Sequence, residues 1–101
     1  MSELNLLTLI CPPELDERLL DRLLVAYPAE LFTSRPVACH GGAHHTFDPA
    51  EQVLGRRQAV QVQILLPTAD VSRLLADLRD EFTGVGLRYW MHPLAAAGEL
   101  T

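Results

Sequence analysis

The chain contains no lysine; all eight of its basic side chains are arginine. That removes Schiff-base and catalytic-amine chemistry, which need an amine able to shed its proton, whereas a guanidinium keeps its charge. Basic residues are also the minority: 13 Asp and Glu against 8 Arg give a formal charge of -5. A cationic footprint for a phosphate backbone or an anionic membrane is therefore missing, and no nucleic-acid partner is expected. No apolar run has the length of a membrane span, and the opening "MSELNLLTLI" has no positively charged leader segment. No direct membrane insertion is expected, and the location read from these features is cytoplasmic. There are only two cysteines, Cys11 and Cys39, which in that compartment are expected to be thiols rather than a disulfide.

What is present describes a folded domain. Hydrophobic residues make up 49% and charged residues 21% of 101 residues, enough for one core and too little for two, so residues 1–101 are read as a single domain. Leu4 to Cys11 alternates with Leu4, Leu6, Thr8 and Ile10 on one face and Asn5, Leu7, Leu9 and Cys11 on the other. Both faces are largely apolar, as in a central strand covered on both sides. Paired prolines then open a helix with Leu15, Leu19, Leu20, Leu23 and Leu24 at helical spacing, ended by Pro28. "LFTSRPVAC", Leu31 to Cys39, reads as a second strand, with Pro36 placing it at an edge. A third strand, opening at Arg56 and Arg57, is clearest from Val60 to Leu66, where Val60, Val62, Ile64 and Leu66 alternate with Gln61, Gln63 and Leu65. Thr68 or Asp70 is placed to cap a second helix with Val71, Leu74, Leu75, Leu78 and Phe82 as its buried stripe. "TGVG" turns into a last strand from Leu87 to about Leu94, and the tail from about 95 to 101 is expected to fray.

Strand, helix, strand, strand, helix, strand is the ferredoxin-like α+β order: a four-stranded antiparallel sheet with two helices on one face. Two helices cover one face only, while the first strand offers apolar side chains to both. In so short a chain the simplest cover is another copy of itself, which predicts a homo-oligomer.

The two middle strands are joined by a connection over about residues 40–55, far longer than a hairpin needs. It opens with "CHGGAHH", in which Cys39, His40, His44 and His45 form a borderline-soft ligand set suited to Zn, Cu, Co or Ni, with Gly41 and Gly42 free to fold round one ion. The spacing matches no closed structural zinc motif, so a solvated loop remains open as the alternative. "TFDPAEQVLG" then carries a short helix signature: Asp48 as N-cap, Pro49 at the first helical position, Glu51 completing a capping box and Gly55 past the end. Gly41, Gly42, Phe47 and Glu51 are candidates for a partner-binding surface on this arm. Arg56 and Arg57 could hold a phosphate or carboxylate, or be plain surface or interface charges. Thr83, Gly84 and Gly86 of "TGVG" could present amides to the same anion, or serve only as a helix exit. Tyr89 and Trp90 read as interface or core aromatics near the end of the sheet rather than a ligand platform, and His92 as a strand residue that packs or hydrogen-bonds, or that completes a site shared between subunits. No serine elbow, positioned Cys and His pair, or carboxylate pair on an apolar surface is present, and no enzyme is expected.

In "LLTLICPPELDERLLDRLL", "AEQVLGRR" and "LRYWMHP", together with the element order, the chain resembles the PII-like superfamily, and within it a short bacterial PII-like family of unknown function. That superfamily includes the PII nitrogen regulators and the divalent-ion-tolerance protein CutA. The resemblance covers nearly the whole chain. It implies a homotrimer, with the arm from about His40 to Gly55 in the place of the T-loop that touches target proteins, and a nucleotide pocket in the clefts between subunits, bounded by the base of that arm and "TGVG". The chain departs from the PII regulators in having no lysine for nucleotide phosphates and a shortened "TGVGLRYW". Members of such families are often encoded near heavy-metal efflux systems, which the resemblance extends to this chain as an expectation. The leading expectation is accordingly a trimeric sensor that binds a transition metal through Cys39, His40, His44 and His45 and signals to a membrane transporter or efflux protein. A nucleotide or small-anion sensor, and a ligand-free interaction module, are the alternatives.

Overall fold

A computed structural model of the chain describes residues 3–41 and 56–101. His44, His45, Gly42, Phe47, Glu51 and the capped turn expected at 48–55 lie outside the described residues. Strand β1 runs Leu4–Cys11 and is followed by a 3-10 turn, Pro13–Leu15, and helix α1, Asp16–Ala26. Strands β2, Phe32–His40, and β3, Arg56–Pro67, come next, then helix α2, Thr68–Glu81, and strand β4, Arg88–Pro93. The sheet has the order β2-β3-β1-β4 with each neighbour antiparallel. This is the ferredoxin-like α+β arrangement expected from the element order.

The helices lie on one face of the sheet because only that face offers a continuous apolar surface. Leu7, Leu9 and Cys11 from β1 and Val62, Ile64 and Leu66 from β3 meet Leu19 and Leu23 of α1 and Val71, Leu74, Leu78 and Phe82 of α2. Each fully buried leucine contributes about 1.5–3 kcal/mol by leaving water. Polar groups at this layer are paired: Asn5 Nδ2 donates to Thr68 Oγ1 at 2.8 Å, tying the start of β1 to the start of α2. On the helix surface, Arg22 reaches Glu81 at 3.4 Å and Arg18 stands 4.9 Å over the Phe82 ring.

Several local expectations are corrected. The prolines open a 3-10 turn before the helix proper, since Pro12 holds ψ at 144°, outside the helical region. Leu24 is 55% exposed, so the buried stripe of α1 is narrower than its sequence pattern. Strand β2 begins and ends one residue later than expected, leaving Leu31 exposed and placing His40 in the strand. Neither Thr68 nor Asp70 caps α2: Pro67 occupies the cap position without a side-chain bond, and the Thr68 hydroxyl accepts from Asn5 instead.

Candidate functional site

The chemistry-bearing residues gather at one end of the sheet. Strand β1 makes its last pairing at Cys11 with Val60, but β2 and β3 continue through Val37–Ala59 and Ala38–Gln58 to Cys39–Arg57 and His40–Arg56. A two-stranded ribbon therefore stands beyond the sheet at the root of the long connection. Gly41, at φ 73°, turns the chain off its tip. Facing the ribbon is the exit of α2, where Gly84 and Gly86 take φ of 77° and 82° and lead into β4. An L side chain would be strained at either angle, so glycine is what lets this turn form.

Two adjoining cavities occupy that end. One, of about 410 Å³, lies between the Cys11–Glu14 turn, Arg57–Ala59 and Gly84–Gly86. The other, of about 430 Å³, is bounded by Val37 to Gly41, with Ile10, Gln61, Arg57, Gly86, Arg88 and Trp90. Arg57 and Gly86 line both. Sequence-distant positions thus converge: the strand-end arginine, the "TGVG" turn and the Cys39–His40 pair border a shared space. Arg88 joins them, and sequence reasoning missed it because only its pairing opposite Ile10 reveals which face it shares.

The strand geometry divides the candidate metal ligands. Cys39 pairs with Arg57 on the face away from the helices and is half-buried, whereas His40, the next residue of a strand, is directed to the other face and exposed. Among the described residues no group of three His, Cys, Asp or Glu could hold a metal ion. Cys11 borders the first cavity, but burial, reinforced by Asp16 and Glu14, pushes its thiol up to about 11, so it is protonated at neutral pH. Both cysteines are free thiols.

The candidate anion ligands also separate. Arg57 lines the cavities, while Arg56, one residue earlier, faces the opposite side of the ribbon. The Thr83 hydroxyl donates to the Arg79 carbonyl, closing the end of α2. Gly84 and Gly86 line the first cavity as anticipated. Trp90, paired with Thr8, borders the second cavity, whereas His92, paired with Leu6, does not. Among the described residues no helix is long and apolar enough to cross a membrane.

The fold recurs in solved structures. A DUF3240 family protein from Shewanella baltica OS155 matches with a TM-score of 0.77 at 22% identity, covering 100% of both chains. CPII, a nitrogen regulatory PII-like protein from Thiomonas intermedia K12 bound to ADP, AMP and bicarbonate, matches with a TM-score of 0.72 at 16% identity, covering 97% of each chain. The periplasmic divalent cation tolerance protein CutA from Archaeoglobus fulgidus matches with a TM-score of 0.72 at 11% identity, covering 95% of this chain and 88% of its own. No curated protein matches the chain. At these identities the likeness establishes a shared PII-like and CutA-like fold. Over residues 1–101 the sequence matches the family described as "Protein of unknown function (DUF3240)", and the chain belongs to that family.

Proposed function

We propose that this is a non-enzymatic, cytoplasmic PII-like regulatory protein whose long β2–β3 connection changes the surface it offers a partner when a ligand binds at its root. The observation that carries the reading is the convergence at that root. Cys39, His40 and Gly41 end the strand that feeds the connection, and they border the same cavity as Arg57, Gly86 and Arg88. Occupancy there acts directly on the segment that leaves it.

The ligand in the leading reading is a divalent transition metal, Zn, Cu, Co or Ni. Cys39 or His40 supplies the strand-borne ligand, and His44 and His45 supply the rest from the connection. Two adjacent strand residues are directed to opposite faces, so one of the pair at a time is the ligand expected from a single chain. The partner is a membrane transporter or other efflux-system protein. Imidazole ligation weakens below about pH 6, as the rings protonate. Isothermal titration of each ion into the wild type and into a His44→Ala, His45→Ala variant tests this: heat in the wild type, lost in the variant, is expected. No heat with any ion would sink it.

A second reading is favoured by a specific observation: two arginines and the glycine turn border the cavities, a lining suited to an anion or nucleotide phosphate. A CPII structure carries ADP, AMP and bicarbonate, which supports the same reading. A melting shift with ADP or bicarbonate that Arg57→Ala abolishes and the histidine variant retains would select it over metal. Silence toward both ligand classes, with partner capture through the connection, would leave a ligand-free interaction module.

In either case the protein is proposed to act as a homotrimer. The face away from the helices exposes Leu4, Leu6 and Leu65 at partial burial, and another copy covers such a face at the least cost in chain length.

A further inference from the structure

A third cavity lies on the helix side of the sheet, between α2 and the edge strand β4. Helix α2 packs on β1 and β3, whereas β4 receives little cover and all six of its residues are exposed. Tyr89 and Met91 stand opposite Leu9 and Leu7, so they share the helix-facing side of the sheet. They remain 49% and 44% exposed. The hollow left between the helix and this strand measures about 270 Å³. The buried Leu9, Leu78 and Phe82 form its floor, and Leu75, Leu87 and Tyr89 its sides. Core packing, not a loop, therefore holds the shape of the floor.

The one charged residue that lines it is Arg79. Its guanidinium forms no ion pair or hydrogen bond among the described residues, whereas Arg18, Arg22 and Arg73 each meet a carboxylate. Arg79 lies in the last turn of α2, where the helix terminus carries partial negative charge that opposes a bound anion. Two of the carbonyls responsible are satisfied, because the Thr83 hydroxyl donates to the Arg79 carbonyl and the Val85 amide to the Phe82 carbonyl. An apolar floor with a single guanidinium at the mouth suits a ligand with an apolar body and one negative charge. The volume is just under the roughly 300–1,000 Å³ of small-molecule pockets, which limits that body to a short chain or one ring.

We propose that this cavity binds a small amphipathic carboxylate, with its hydrocarbon body on Leu9, Leu75, Leu78 and Phe82 and its carboxylate beside Arg79. A doubly charged phosphate head would leave one charge unpaired against apolar walls, which disfavours it. The site differs from the anion reading above in place and in cation. It shares Gly84 and Gly86 with the strand-end cavities, but neither Arg57 nor Arg88 lines it. A ligand seated there rests against the same glycine turn from the helix side. The inference requires no second copy of the chain, and it stands or falls apart from the metal and anion readings.

The test is methyl NMR of the full chain with labelled leucines, titrated with sodium octanoate. Sodium acetate lacks the apolar body and octanol lacks the charge, so these two are the comparison probes. Octanoate is expected to shift the methyls of Leu75, Leu78 and Leu87 saturably, and acetate to shift none. Octanol should bind about fivefold more weakly than octanoate, the scale of an exposed ion pair. Arg79→Gln, at an exposed position, should still fold by circular dichroism, bring octanoate down to the octanol level and leave octanol unchanged. Absence of any saturable shift overturns the proposal. Shifts confined to Leu4, Leu6 and Leu65 overturn it too, because they put the ligand on the open sheet face. Equal affinity for octanoate and octanol, or octanoate binding untouched by Arg79→Gln, refutes the carboxylate assignment. Octanoate binding lost in Arg57→Gln but kept in Arg79→Gln moves the ligand to the strand-end cavities and likewise defeats it.

Discussion

Replacing Gly86 by alanine isolates a single energetic term at the heart of the candidate site. Gly86 sits at φ 82°, and a Cβ built there meets no atom within 4 Å. Steric contact therefore contributes nothing, and the cost is that of forcing an L residue into the left-handed region, about 1–2 kcal/mol. Gly98 is the matched control, since it too has open space within 4 Å but no left-handed φ. Gly98→Ala should be neutral or slightly stabilising, through the entropy of the unfolded chain. The assay is urea denaturation followed by circular dichroism at one fixed protein concentration, because association shifts apparent stability. In a domain of this size each kcal/mol corresponds to roughly 4–8 °C in Tm, so thermal melting gives a second readout. If Gly86→Ala and Gly98→Ala fall within about 0.3 kcal/mol of each other, the left-handed turn is not needed and the reasoning fails. A loss for Gly86→Ala above about 4 kcal/mol refutes it in the other direction, because damage of that size requires packing defects.

Other expected outcomes follow from burial and charge. Leu9→Ala removes a side chain with no exposure at the centre of the core and should cost about 2–5 kcal/mol in a denaturant titration. Breaking the Arg22–Glu81 bridge, whose side chains are 39% and 33% exposed, should cost under about 1 kcal/mol, less at high salt, by a double-mutant cycle. Cys39 should react with iodoacetamide at neutral pH well before Cys11, by mass spectrometry, since burial holds the Cys11 thiol protonated. The Cys11 pKa is raised from 9.0 to about 11 on folding, so the native state keeps its proton longer than the unfolded state. Stability should accordingly fall as pH rises from 9 to 11, and Cys11→Ala should flatten that dependence. Trp90 is the sole tryptophan and borders the cavity that Cys39 and His40 share with Arg57; its fluorescence should change when a ligand enters, and unchanged emission alongside measured binding heat would place the ligand elsewhere.

The two-residue period of β1 and the leucine spacing of both helices were legible in the sequence because local geometry fixes which residues share a face. Their order then led to the sheet topology. Local pattern failed where a tertiary partner intervened. Leu24 fits the helical stripe but stays exposed, and Thr68 carries a capping side chain that Asn5, 63 residues away, takes as a hydrogen-bond acceptor. Among the candidate site residues, the sequence marked Cys39, His40, Arg57, Gly84 and Gly86 by type and spacing. It could not separate Arg57 from Arg56, or Cys39 from His40, because that depends on which face of the ribbon each residue meets.

By itself, then, the sequence determined the elements, most of the core positions and the unusual ligand content of the long connection, all of which follow from side-chain type and period. Only the tertiary structure decided that Arg88 and Trp90 share a cavity with the strand end that carries Cys39. Antiparallel pairing sets those neighbours: its register aligns residues far apart in the chain, and no local property of Ile10, Gln61 or Arg88 encodes that alignment.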